Sequence, residues 1–168
     1  MRDLKNTYQR ARMTVSKFFV ACSIIAASEA ISVGGVKEMN SIFSKNIIGG
    51  CEKFARGNDK ALAIAVVDAG GHLLAFSRMD GVAPGVGKIA IWKATSAALY
   101  GMPTKTFQNL AEKDQYMFHL PNAAPVGGGE PILLAEGRVS GGVGVSGASA
   151  EVDADCAKAG LARALANK

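Results

Sequence analysis

The sequence predicts an α+β domain, an antiparallel sheet with helices packed on it in the order α-β-β-α-α-β-β-α. Three observations carry that expectation. Two pairs of short apolar runs are joined by glycine-bearing turns, Asp68-Ala69-Gly70-Gly71 and Glu136-Gly137. Turns this short join antiparallel neighbours, because a parallel crossover takes a dozen residues or more. Segments with apolar residues three and four apart flank and separate the pairs. Finally, 168 residues that are 49% hydrophobic suit one domain with one core, and no repeat, low-complexity tract or linker divides them.

Met39, Phe43, Ile47, Cys51 and Phe54 recur at helical steps, predicting an amphipathic helix over roughly 36–56. Gly57-Asn58 ends it as a left-handed cap. The first hairpin pairs 61–67 with 72–78, its turn glycines accepting the positive φ that tight turns demand. A loop around 81–87 containing Pro84 leads to a second helix at 88–100, stopped by Gly101 and Pro103. Thr104 is placed to cap a shorter third helix that ends near residue 112. An irregular segment with His119, Pro121 and Pro125 reaches the second hairpin, 132–135 with 138–145. Ser149, with Glu151 and Asp153 in the following turn, opens a last helix through Leu165.

The formal charge of +5 would ordinarily raise nucleic acid or an anionic membrane as a partner. Five of the nineteen basic residues, with only two acids, lie in residues 1–30, so the rest of the chain is nearly neutral. No cluster of Lys and Arg remains to bind nucleic acid. Residues 1–30 read as a signal peptide: a basic stretch to Lys17, the apolar run 18–27, then Ser28-Glu29-Ala30. Ten apolar residues are too few for a stable membrane span. The mature domain is then 31–168, periplasmic or secreted. Cys51 and Cys156 fall at apolar helix positions, as buried thiols or, if the helices lie side by side in an oxidising compartment, as a disulfide.

The chemistry-bearing residues are few. His72 and His119 are the two imidazoles, each a candidate metal ligand, haem iron included, or an ordinary surface histidine. Arg78-Met79-Asp80 closes the first hairpin. Arg78 offers a fork for a carboxylate and Met79 a soft sulfur; alternatively the trio pins the exit loop, with Met79 packed beneath. Lys93 and Thr95 lie on the second helix, where they would border a pocket between that helix and the sheet. Gly127-Gly128-Gly129-Glu130-Pro131 lacks the Lys-Ser/Thr of a P-loop, yet N–H groups at Gly128 and Gly129 suit an anion. Gly141-Gly142-Val143-Gly144-Val145 is no dinucleotide fingerprint; small residues in a strand admit a closely packed helix or partner subunit.

Taken together, Val67-Asp68, Gly70-Gly71-His72-Leu73, Arg78-Met79-Asp80, Lys93-Ala94, Gly128-Gly129-x-Pro131 and 142–147 resemble the GlcG/HbpS family, which includes the PduO C-terminal domain. The resemblance covers nearly everything after residue 36. It implies a profilin-like layered fold, a homo-oligomer (dimer or higher) and haem or a related tetrapyrrole as ligand. Ile91-Trp92 departs from the polar residues that relatives tend to carry before the Lys-Ala pair.

No nucleophile, base and orienting group fall together, so the chain is expected to bind a small molecule rather than to catalyse. The leading expectation is an exported tetrapyrrole-binding protein for sequestration, sensing or slow degradation. The alternatives are an enzyme acting on a small organic acid, with Asp80 or His119 as base and Lys93 or Arg78 as anchor, and a non-catalytic oligomeric interaction subunit.

Overall fold

A computed structural model describes residues 32–33, 39–134 and 137–166 of the chain. The expected signal peptide, 1–30, lies outside the described residues. The elements are β1 (Ser32–Val33), α1 (Ser41–Gly57), β2 (Ala63–Asp68), β3 (Leu73–Arg78), α2 (Pro84–Tyr100), α3 (Thr104–Ala111), a 3-10 turn (Gln115–His119), β4 (Gly129–Leu134), β5 (Val139–Ser146) and α4 (Ala150–Ala166). This is the expected α+β order with one addition. β1 joins β4 in parallel at the sheet edge, whereas every other pairing is antiparallel, in the order β1-β4-β5-β2-β3.

The helix boundaries differ from expectation for local reasons. Asn40 caps α1, its side chain accepting the Phe43 N–H at 2.8 Å, so the helix starts later than the apolar periodicity alone implies. The left-handed residue after α1 is Asp59 (φ 53°); Asn58 itself is not left-handed. α2 begins at Pro84, whose fixed φ and missing N–H suit a first helical position. Gly101 (φ 63°) stops it as expected. Thr104 does not cap α3. Its buried hydroxyl accepts the Gly129 N–H instead, at 2.8 Å.

The sheet is covered on both sides. α1 and α4 pack on one face with Phe43, Ile47, Cys51, Ile64, Val66, Val143 and Leu161 in the core. α2 packs on the other with Ala63, Ala65, Val67, Ala90, Ala94 and Ala98. β2, between β3 and β5, is therefore buried along 63–67, as expected for a central strand with helices on both sides. Cys51 of α1 and Cys156 of α4 form a disulfide with Cα atoms 4.8 Å apart. Of the two readings the sequence left open for these cysteines, the helices lie side by side and the sulfurs are bonded.

Candidate functional site

The first feature of the site is a closed door. Gly142 and Gly144 face α2 so closely that a Cβ on either would collide with the helix backbone, at Ala94 and Ala98 or at Ala90 and Ala94. The expected pocket between α2 and the sheet is thereby corrected: the glycines let the helix settle directly on β5. Three of the predicted residues nevertheless converge at the end of this contact. The Lys93 ammonium donates to the Val145 carbonyl and to Asp153 Oδ2, each at 2.9 Å, with both side chains 2% exposed. Gly128 (φ 113°) passes beside the pair, where a Cβ would stand 2.7 Å from Asp153 Cβ and 2.9 Å from the ammonium. Gly129 follows, tied to Thr104. Burial pushes the Asp153 carboxyl up, although the Lys93 hydrogen bond and charge and the Ala148 N–H pull the other way.

Beyond this node, β4 carries the chain into a groove of about 400 Å³ between α3, β4 and the first turns of α4. Its floor is Glu130, 5% exposed. Burial pushes the Glu130 carboxyl up to about 7; Lys158 opposes that rise and Asp155 adds to it. Lys105 of α3 reaches Glu151 of α4 at 3.6 Å, and both line the groove. Thr106 and Asn109 supply further polar groups from α3. The concavity falls within the size range of ligand pockets.

The remaining predicted residues lie elsewhere. Arg78 donates to the Val82 carbonyl and so bridges its own exit loop. Met79 is half-buried between the two cores, its sulfur 3.4 Å from the Leu62 N–H, and Asp80 is exposed on the following turn. Thr95 is half-buried, its methyl group close to Gly71 of the first hairpin turn. His72 is exposed there, with Nδ1 3.2 Å from both oxygens of Asp68. Burial nudges the Asp68 carboxyl up, but hydrogen bonds from His72 and Gly70 prevail and hold it below the usual range. His119 is exposed at the end of the 3-10 turn, beside exposed Phe118 and Leu120. His72 lies beside exposed Leu73, and Leu99 approaches its turn at Gly71.

Two residues of consequence were absent from the sequence-based candidates, yet each left a trace. Glu130 occupies the same strand face as Ile132, a charge at a position that two-residue alternation assigns to the core. Asp153 shares a helical stripe with Cys156, Ala157, Gly160, Leu161 and Ala164, all buried. An acid on a core stripe calls for a buried partner, and Lys93 is that partner.

The fold is a small three-layer α+β domain with a polar groove at its surface. The profile of the family described as "Haem degrading protein HbpS-like" matches residues 44–162, and the chain belongs to that family. Protein GlcG of Escherichia coli is 39% identical over 101 residues, which span 60% of this chain and 75% of GlcG. A double mutant of Streptomyces reticuli HbpS superimposes with a TM-score of 0.70 at 26% identity, over 76% of this chain and 87% of that one. A PduOC–haem complex shares the fold, with a TM-score of 0.68 at 21% identity over 75% of this chain and 94% of that one.

Proposed function

We propose that the protein is an exported small-ligand-binding protein whose ligand is haem or a related tetrapyrrole, held for sequestration, sensing or slow degradation. The family supports this reading through its description as haem-degrading and through a relative captured as a haem complex. The observation in this chain that carries it is the setting of both imidazoles. His119 and His72 are exposed, and each is flanked in the chain by exposed apolar residues, a setting that suits a flat apolar macrocycle with an axial nitrogen ligand. At His72 the Asp68 carboxylate engages Nδ1, the arrangement that orients a ligating imidazole and leaves Nε2 for the metal. Bound haem would supply an iron centre and a chromophore.

Export is supported by the Cys51–Cys156 disulfide, since such bonds persist in oxidising compartments. Self-association is supported by Ile89, Trp92 and Leu99, exposed along α2, with Leu73 and Phe76 on β3 beside it. This face suits a second copy of the chain.

A hemin titration followed by absorbance tests the ligand. The expected result is a saturable one-to-one Soret shift, lost in either His72→Ala or His119→Ala. A non-saturating, featureless titration would overturn the haem reading.

A further inference from the structure

The groove over Glu130 shares no residue with either histidine surface, and its chemistry differs from theirs. Three elements build it: α3, β4 and α4. Its charged groups are Lys105 from α3, Glu130 from β4, and Glu151, Asp155 and Lys158 from α4. Lys105 and Glu151 neutralise one another across the mouth at 3.6 Å. Lys158 and Asp155 are the second pair of opposite signs within electrostatic reach of the floor. Glu130 is the odd charge. The residue is 5% exposed, and what remains accessible includes its carboxyl oxygens, which open onto the groove and hydrogen-bond no described residue. A largely desolvated carboxyl without a hydrogen bond favours a proton or a neighbouring cation.

We propose that this groove is a binding site for a small organic monocation bearing a primary ammonium group, which is held against the Glu130 carboxylate. The charge balance selects a monocation, and the apolar walls beside Glu130 select an organic one. With a proton on Glu130 the lining is neutral; with an ammonium in place of that proton it is neutral again. A carboxylate ligand would leave the groove with an uncompensated negative charge, and a dication would leave it positive. Thr106 and Asn109 can hydrogen-bond polar substituents, while Pro103, Ala150 and Ala154 give apolar walls to a short carbon chain. The volume of about 400 Å³ equals about a dozen water molecules, which limits the ligand to a small metabolite rather than a peptide. Binding exchanges one cation for one proton, so the proton leaves Glu130 for solvent as the ammonium arrives. With the carboxyl at about 7, affinity for such a cation rises with pH up to that point and then levels off.

The test is an NMR titration of the isotopically labelled full chain with butylamine, using butanol and butyrate as neutral and anionic counterparts. Butylamine is expected to shift the amides of Thr106, Asn109 and Ala154 saturably, and its counterparts to leave them unmoved. Its affinity is expected to be about tenfold tighter at pH 8 than at pH 6, the ratio set by a carboxyl near 7. Glu130→Gln, which retains the uncharged hydrogen-bonding shape, is expected to abolish the shifts. No saturable shift, equal binding of butanol or butyrate, or unaltered binding by Glu130→Gln would each overturn the proposal. Should that variant fail to fold, the unsubstituted protein decides alone, because an affinity independent of pH also overturns it.

Discussion

Lys93 and Asp153, sixty positions apart in the chain, meet at 2.9 Å in a setting where each is 2% exposed. The pair joins α2 on one side of the sheet to the start of α4 on the other, past the end of β5. Asp153 also accepts the Ala148 N–H at 3.0 Å, so one carboxylate fixes the turn into α4 and the lysine together.

Removing one partner leaves a buried charge uncompensated. Lys93→Met is therefore expected to cost about 3–5 kcal/mol. The double variant Lys93→Met/Asp153→Leu should recover part of that loss, because it leaves no orphaned charge although the Ala148 N–H loses its acceptor. Urea unfolding of the three proteins measures both quantities. A single variant within about 1 kcal/mol of the parent would show that the pair carries no such burden.

Two glycine-to-alanine changes are expected to have opposite signs. At Gly144 a Cβ meets the Ala90 carbonyl and the Ala94 amide, backbone atoms that cannot rotate away. Gly144→Ala must push α2 off the sheet, an overpacking cost of about 1–3 kcal/mol or more. At Gly49, exposed within α1, a Cβ meets nothing within 4 Å. Gly49→Ala should stabilise by roughly 0.5–1 kcal/mol through the entropy of the unfolded chain. Thermal melts of both variants check the contrast.

The hairpins and helices were legible because their signals are local: glycine turns, apolar periodicity, and stops such as Gly101-Pro103. What escaped the sequence depends on contacts between distant segments. Among the described residues β1 pairs through β4 alone, and two residues carry no periodicity to read. The same limit governed the site. Lys93, Gly128 and Gly129 stand in separate local motifs, and the structure brings them together around Asp153, an acid whose place in a helix first turn does not by itself name its internal partner. Glu130 sits within a glycine-rich turn motif, and only the packing of α3 and α4 turns its strand position into the floor of a groove.

The Cys51–Cys156 bond closes a loop of 105 residues between α1 and α4. Its reduction is expected to cost about 2–5 kcal/mol, since an open chain has more unfolded conformations. Urea midpoints with and without reductant measure the loss. A thiol assay in denaturant, run without reductant on the chain beginning at Ile31, should find no free thiol. Two free thiols would show that the bond does not form.

Trp92 is 41% exposed in the middle of the apolar stripe of α2. If that stripe seats a second copy, Trp92→Glu should convert the assembly to monomers. Its fold should survive, because an exposed substitution ordinarily moves stability by no more than about 0.5 kcal/mol. Sedimentation velocity on the parent and the variant separates the outcomes. An assembly of unchanged size in the variant would place the interface elsewhere.

Glu130 should write itself into the pH dependence of stability. Its folded carboxyl sits at about 7, above the 4.5 of an ordinary glutamate. Between those values the unfolded chain is ionised while the folded chain keeps its proton, so the native state binds more protons. Stability from this group is therefore fully present below about pH 4.5, declines as pH rises, and is lost above about 7. The full span corresponds to roughly 3 kcal/mol. Asp68 and Glu52, whose carboxyls are held down in the folded protein, bend the curve the opposite way at acid pH. The difference between the parent and Glu130→Gln removes their contribution. That difference curve, from urea midpoints at several pH values between 4 and 8, should fall with pH against the variant and flatten near 8. A flat difference throughout would mean that Glu130 titrates as an ordinary, solvated carboxyl, and the roughly tenfold rise in cation affinity between pH 6 and pH 8 would be lost with it.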